Sequence, residues 1–545
     1  MNVRPNTAVL NLIVFLFVAT QLTTIGMAQE QDFIYGQLLD DTQNEPVPFA
    51  SIRIKDKALG VISNIDGTFK IPIAYKTLGE VIEISCMGFE TKEILIDGFL
   101  EGQANIIILT PSSFELSEAV VSAKVKKINA RDIVRYAIDN IPQNYSLEQF
   151  GLVGYYRDYQ IENETYTNMN EAIIKIFDAG FASKDNFDNE YQLITYKKNL
   201  EFKIDSFTKQ PYDYEKHNKI IPSAKMENSG GNEFITLNIH DAIRNNKIKT
   251  YSFINDMSVD FVENHRFVLK GKTNFKNETI YEIECFYRNT DYYSEGKIFI
   301  SATDFAIHKL DYALFKRKKP GELDTAINAE ERYSDGFNKT KRELIYHIIT
   351  EYSKGEKDKM YLNYISFYNK ILVQKPAEFN SKFVLDLDSR RFMVHLNRMP
   401  KHVEKIKKSD FKIEYKDKSL PIIRIRFFED IRTFKITPHF IKKETGPILN
   451  YLFTENDRLE VSDLTYSYGN IRDSLGNKLD EKKYEYLHQY REFFTQDIFP
   501  NLSVSISKDS LMLKDAPLDS KLQPICTSCK TANYWMNTPL KKISN

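Results

Sequence analysis

Cysteine is scarce in this chain: four in 545 residues, at Cys86, Cys285, Cys526 and Cys529. That excludes a disulfide scaffold, so the fold must rest on an apolar core, which a chain of this length can build. Charge of one sign is also lacking in excess. The formal net charge is -1, and nothing electrostatic draws such a protein to nucleic acid, which favours a basic face. Long hydrophobic runs are missing too. The longest, Ala8–Ala19, falls short of the roughly 20 residues that a membrane-spanning helix needs.

Catalytic signatures are equally sparse. None of the nine histidines is followed by Glu at the third position, so the His-x-x-Glu pair of a zinc carboxypeptidase is absent. So are the His-Glu-x-x-His zinc helix, the Gly-x-Ser-x-Gly nucleophile elbow and a Gly-rich phosphate loop. Ser-x-x-Lys recurs at Ser206, Ser294, Ser409 and Ser505, which chance supplies in so Lys-rich a chain. No cofactor is called for.

What is present is sheet-forming material. Apolar residues make up 42% and charged residues 27%, with 32 Tyr and 37 Phe, a globular balance leaning toward strands. With 545 residues, two to four domains are expected. At the N-terminus Arg4, the apolar run and Gly26-Met27-Ala28 read as a secretory signal peptide cut after Ala28. No cysteine stands there to carry a lipid anchor. The chain is therefore expected to be exported: periplasmic, outer-membrane-associated or at the cell surface, without a transmembrane span once mature.

Residues 29–110 read as about seven short strands, FIYGQLL, VPFASIRI, LGVIS, TFKIP, EVIEIS, TKEILI and NIIIL, with turn signals at sandwich spacing. In the second strand Ala50, Ile52 and Ile54 share one face, and Phe49, Ser51 and Arg53 the other. Asn64-Ile65-Asp66-Gly67 between two apolar runs predicts a hairpin, with Gly67 supplying the positive φ. A calcium loop with Gly67 at its sixth position would need carboxylates at Ile62 and Ile73; both are apolar.

These residues carry a resemblance. "GQLLD…EPVPFASIRI", "LGVISNIDGTFKIP", "SCMGFET" and "IIILTPSSFELSEAVVSA" resemble the carboxypeptidase-like regulatory domain over about residues 32–123. The resemblance implies a transthyretin-like β-sandwich in an exported protein of Bacteroidota type, often N-terminal to outer-membrane receptors or envelope proteins. It implies an accessory module and no catalysis.

Residues 111–128 are expected to be a linker and 129–142 a connecting helix. Asn129 is its N-cap, Ala130, Ile133, Val134, Ala137, Ile138 and Ile141 form one face, and Pro142 is its stop. Residues 143–375 alternate with period two and predict a large curved antiparallel sheet, although NMNEAIIKIF also reads as a helix start. "GKIFISATDFAI" within it is similar to the half-barrels of envelope lipoprotein carriers. A C-terminal α+β portion spans 376–500, with Ser419–Phe428 a strand and Glu481–Phe499 a helix. A polar tail, 501–545, is expected to be loose. The fold class is thus mainly β: sandwich, helix, large sheet and a few helices.

Two stretches could hold chemistry. His240 and Asp241 in "LNIHDAIRN", and Asp260, Glu263 and His265 in "DFVENHRF", would make a metal site or an acid–base pair if the fold joined them. The competing reading is strand-end polar residues or structural histidines. Cys526-x-x-Cys529 reads as a local disulfide tacking down the tail, with thiol exchange the alternative. Cys86 and Cys285 read as buried apolar residues. The leading expectation is a non-enzymatic envelope protein that binds a protein, glycan or lipid partner. An exported metal-dependent hydrolase using the His240/His265 region and a lipid or lipoprotein carrier with a half-barrel groove are the alternatives.

Overall fold

A computed structural model of the chain describes residues 33–112, 128–162, 165–183, 188–205, 212–213, 219–221, 230–246, 261–317, 343–454, 464–500, 502, 507–527, 529 and 533–539. The expected signal peptide, most of the expected linker 111–128 and Asp260 lie outside these residues. The chain is mainly β and falls into two bodies. The first comprises residues up to 213, 221–370 and 488 onward; the second comprises 214–220 and 371–487.

The seven N-terminal strands form where alternation places them. They are β1 (Phe33–Asp40), β2 (Ser51–Ile54), β3 (Gly60–Ile62), β4 (Thr68–Pro72), β5 (Val81–Ser85), β6 (Lys92–Leu95) and β7 (Ala104–Leu109). They divide into two sheets, ordered β4-β1-β7 and β3-β2-β5-β6. Ile34, Leu38, Ile52, Ile54, Phe69, Ile71, Ile82 and Ile84 fill the core between them.

The hairpin expectation is corrected here. β3 and β4 belong to different sheets, so Asn64–Gly67 is an arch that carries the chain across the core. Val61 and Phe69 thereby enter one cluster from opposite sides. The turn chemistry itself is as read: Gly67 has φ 72°, and its N–H donates to Asn64 O at 2.9 Å. The outer face of β2 also differs from a solvated strand, because Ser51 and Arg53 are buried along with Ile52 and Ile54.

The helix Ala130–Asp139 forms as its periodicity requires. Asn129 accepts from the Asp132 N–H, and Ala130, Ile133, Val134, Ala137 and Ile138 are buried. Pro142 does not end it; it sits in the first turn of a short second helix, Ile141–Asn144, where a missing N–H costs nothing.

The large sheet follows. Its strands are β8 (Phe150–Glu162), β9 (Thr165–Asp178), β10 (Glu190–Lys198), the two-residue strands β11 (Tyr212–Asp213), β12 (Lys219–Ile220) and β13 (Gly230–Gly231), then β14 (Arg266–Phe275), β15 (Glu278–Arg288), β16 (Tyr292–Ser301), β17 (Ile307–Lys316), β18 (Glu343–Lys354) and β19 (Met360–Lys375). The order along its main path is β10-β9-β8, then the late strand β27 (Lys483–Phe499), then β19-β18-β17-β16-β15-β14. NMNEAIIKIF is strand throughout.

Strand β27 (Lys483–Phe499) is the main departure from expectation, since its sequence reads as an amphipathic helix. It enters the middle of the sheet, where Gln489 to Gln496 are buried on both faces. Pairing on two sides overrides the local periodicity.

The second body carries two small sheets. One is ordered β20-β21-β25-β24, from Ser381–Asp386, Arg391–Leu396, Thr433–Pro438 and Ile422–Phe428; the other is β23-β22-β26, from Lys418–Ser419, Phe411–Tyr415 and Leu464–Tyr468. Phe379, Phe392, Phe411, Phe434, Leu449 and Leu452 are prominent in its core.

A β-carbon added at Gly67 would lie 2.4 Å from Leu38 O, and the residue sits at positive φ. Gly67→Ala is therefore expected to cost about 1–3 kcal/mol in urea denaturation; an unchanged midpoint would show that the arch tolerates a side chain.

Candidate functional site

Four of the five residues singled out for chemistry are described, and they do not share one centre. His240 follows the helix Glu233–Asn238 and is 2% exposed. Its Nδ1 donates to Thr236 O at 2.6 Å, which fixes the tautomer, and its ring stacks on Phe367 at 3.9 Å. Asp241 is buried. It accepts from the Tyr352 hydroxyl at 2.6 Å and from the Ile243 and Arg244 N–H groups at 3.1 Å each. Burial pushes its carboxyl up to about 6, with the Tyr352 hydrogen bond acting against it.

His265 is also 2% exposed. Its Nδ1 donates to Phe261 O and its Nε2 lies against the Tyr312 hydroxyl, both at 2.9 Å. Burial lowers its pKa to about 4. Glu263 is on the surface, 63% exposed, facing Arg131 and Arg135 at 3.5 and 3.3 Å. His240 and Asp241 thus lean on β19 and β18, His265 leans on β17, and Glu263 points to solvent. Among the described residues no three His, Cys, Asp or Glu side chains converge as metal ligands. Cys526 and Cys529 are bridged. Cys285 is buried, whereas Cys86 is half-buried.

A buried polar seam that sequence reasoning did not single out holds the first body together. Arg157 on β8 is 1% exposed. Its Nε pairs with Glu492 directly opposite on β27, and its Nη1 donates to Asn64 Oδ1 in the arch. The Tyr159 hydroxyl donates to the other Glu492 oxygen at 3.0 Å. Burial works against the charge on Arg157, and Glu492 with the surrounding tyrosines outweighs it, so the guanidinium stays ionised. From the tail, Asn537 donates to Ile62 O at 2.7 Å and accepts from Lys70 N–H at 2.9 Å.

A second tie runs from β2. Arg53 donates to Thr495 O at 3.0 Å and to Asn363, and its guanidinium lies 4.5 Å from the Phe494 ring centroid. Burial lowers its pKa to about 10, against Glu83 and Glu351. Apolar contacts fill in around these ties: Ile62 packs with Ile349, Tyr364 and Phe494, and Ile65 packs with Tyr159, Met169 and Tyr490.

The large sheet's other face is covered by the chain itself. Phe234 makes edge contacts with Tyr156, Tyr191 and Phe493. Tyr145 packs on Phe181 and Tyr352. Phe234 also lines a small cleft of about 10 Å³ with Leu237, Asn238, Asp241, Leu362, Ile365 and Phe493.

The second body has a different surface. Between Pro400 and Lys443 the chain carries 13 Lys and Arg against 6 Asp and Glu, a surplus of 7 in a protein of net charge -1. Lys405, Lys407, Lys408, Lys412, Lys416, Lys418, Arg424 and Arg426 are all exposed. β24, at one end of its sheet, sets exposed Ile423, Arg424 and Arg426 among the partly covered rings of Phe427 and Phe428. This local surplus was legible as charge but is hidden by the chain's overall neutrality.

Residues 34–121 match the family described as the CarboxypepD_reg-like domain, and the N-terminal sandwich is such a domain. No curated protein matches the chain. Among solved structures, a LolA superfamily protein from Nitrosomonas europaea is similar at 10% identity, covering 44% of this chain and 86% of that one, with a TM-score of 0.18. A DUF1329 family protein from Desulfovibrio piger is similar at 8% identity over 44% and 85%, with a TM-score of 0.20. At such scores the likeness carries no functional meaning.

Removing one partner of the Arg157–Glu492 pair strands a buried charge. Arg157→Met is expected to cost about 3–5 kcal/mol, and Arg157→Met/Glu492→Leu less than the sum of the single changes; additive losses in denaturant titrations would show that the two do not act as a pair.

His265 has a lowered pKa, so the unfolded chain binds more protons and stability is lost as pH falls from about 6.5 to about 4, by roughly 3 kcal/mol. Asp241, with a raised pKa, works in the opposite sense, losing stability as pH rises from 3.8 to about 6. The difference between wild type and His265→Gln isolates the histidine. A slope identical in the two proteins would show that His265 does not titrate on unfolding.

Proposed function

We propose that this is a non-catalytic binding protein of the cell envelope that engages an anionic envelope component through its second body. The observation that supports it most is the exposed cationic stretch from Lys401 to Lys443. The first body, with its sheet packed on both faces, is scaffold. Clustered cations raise encounter rates with an anionic surface and add about 1 kcal/mol each close to it.

The hydrolase alternative needs His240 and His265 at one centre, whereas each is tied to a different strand and to a backbone carbonyl. The carrier alternative needs an apolar groove. The cleft beside Phe234 holds about 10 Å³ and another beside Phe275 and His308 about 20 Å³, room for about a water each, and the chain's own aromatic side chains occupy the sheet around Phe234.

Sedimentation with phosphatidylglycerol vesicles is expected to retain the protein, and phosphatidylcholine vesicles are not. Binding should weaken with salt and fall at least about tenfold in Lys407→Glu/Lys408→Glu/Arg424→Glu/Arg426→Glu. Equal binding to neutral vesicles, or an unaffected variant, would sink the reading.

A further inference from the structure

The sandwich has two unfinished edges on one side. β3 ends one sheet and β4 ends the other, and an open edge presents backbone groups that pair readily with another chain. Here the C-terminal segment closes both. Trp535 Nε1 donates to Lys70 O at 3.0 Å. The Asn537 carboxamide accepts from Lys70 N–H and donates to Ile62 O, so one side chain bridges β4 and β3 as a strand backbone would.

The Trp535 indole, 3% exposed, lies in the sandwich core, its ring 5.6 Å from Tyr75. Gln496 on β27 closes the site, donating to Gly60 O at 2.7 Å and to Trp535 O at 2.9 Å. An extended peptide of the form Trp-x-Asn is thus recognised by a slot, two strand edges and a glutamine clamp.

The other end of the same segment is held differently. Ile525 bridges to Leu193, and Cys526 N–H donates to Leu193 O at 2.9 Å, on β10, the end strand of the large sheet's main path. Cys529 packs with Val153, Tyr155, Ile173 and Ile194, together with Tyr534 and Met536. The Cys526–Cys529 bridge joins these two anchors, and both cysteines are half-exposed, within reach of a reductant.

We propose that the sandwich carries an extended-peptide docking site occupied in this structure by the chain's own tail, and that reduction of Cys526–Cys529 releases the tail so that β3 and β4 can take a Trp-x-Asn-like segment of another polypeptide. The reductant is a dithiol. One thiolate attacks a bridge sulfur, expelling the other cysteine as thiolate, and the reductant's second thiolate then closes its own disulfide. This leaves two cysteine thiols and an oxidised reductant. Edge pairing with pockets for alternate side chains is an established way of binding extended peptides. The inference concerns the first body and stands apart from the anionic-partner reading.

The chain has a single tryptophan, so its fluorescence reports the slot alone. Reduction of the full-length protein is expected to red-shift the emission and increase acrylamide quenching severalfold with far-UV circular dichroism unchanged. Cys526→Ser/Cys529→Ser should show the same without reductant. Unchanged quenching after thiol titration confirms two new thiols would overturn the latch.

The docking site is tested separately with Trp535→Ala/Asn537→Ala in the full chain, whose slot is vacant, and a labelled peptide of residues 531–539. Saturable binding is expected, about tenfold weaker when the peptide's own asparagine is alanine. A folded variant that binds no peptide, or both peptides equally, overturns it; should that variant not fold, reduced wild type with the labelled peptide gives the same decision.

Discussion

The buried guanidinium of Arg157 is the constraint on which the first body depends. A charge so thoroughly withdrawn from water needs a counter-ion and hydrogen-bond acceptors close by. The matching groups come from remote parts of the chain: Glu492 from the strand alongside, Asn64 from the sandwich arch and Asn537 O from the tail. Its Nε and Nη1 find these partners together only when β8, β27, the sandwich and the tail are all seated. A shift of β27 by one residue would turn Glu492 to the opposite face and leave Arg157 without a counter-ion. The pair therefore fixes register and docking at once. The surrounding aromatic and aliphatic contacts supply the apolar burial that makes the docked state favourable.

The same logic explains what the sequence disclosed and what it did not. Local rules were enough for the sandwich strands, the Asn129-capped helix and the Gly67 turn, because each is settled by neighbours within a few residues. They failed where partners lie far away. β3 and β4 look like a hairpin because nothing in SNIDGTF says that the two strands join different sheets. β27 looks like a helix because Tyr484, Leu487, Phe494 and Ile498 fall at helical spacing, whereas the strand is specified by pairing with β8, more than three hundred residues earlier. Arg53 looks solvated because its partners, Thr495 and Asn363, come from the large sheet.

The candidate chemistry was misleading for a related reason. His240, Asp241 and His265 are conspicuous as residue types, yet each serves a local task. His240 is tied to the carbonyl of a preceding turn, Asp241 receives the N–H groups of the next turn, and His265 links a turn to a tyrosine of the sheet. Burial has moved the pKa values of Asp241 and His265 in opposite directions, as expected of a carboxyl and an imidazole each kept from charging. Perturbed ionisation at these positions records desolvation. Of the residues that tie the first body together, Asn64 was read only as part of a turn, and Arg157, Trp535 and Asn537 belong to no motif. A lone tryptophan in a polar tail is the one signal that could have marked them, because a side chain so large is costly to leave in water.

The tail deserves to be seen as part of the sandwich's edge. A seven-strand sandwich with both sheets ending on one side would present two free ladders, and β3, at three residues, is too short to shield its own. Natural sheets blunt such edges with charge, proline, bulges or a covering segment. This chain uses a covering segment, and the cover is specific: an indole in a slot and a carboxamide standing in for a backbone amide. A segment added only for bulk would not need those two side chains at that spacing. Because it arrives from the far end of the chain and is held by β27 and β10 as well as by the sandwich, the cover ties the sandwich edge to the large sheet within the first body.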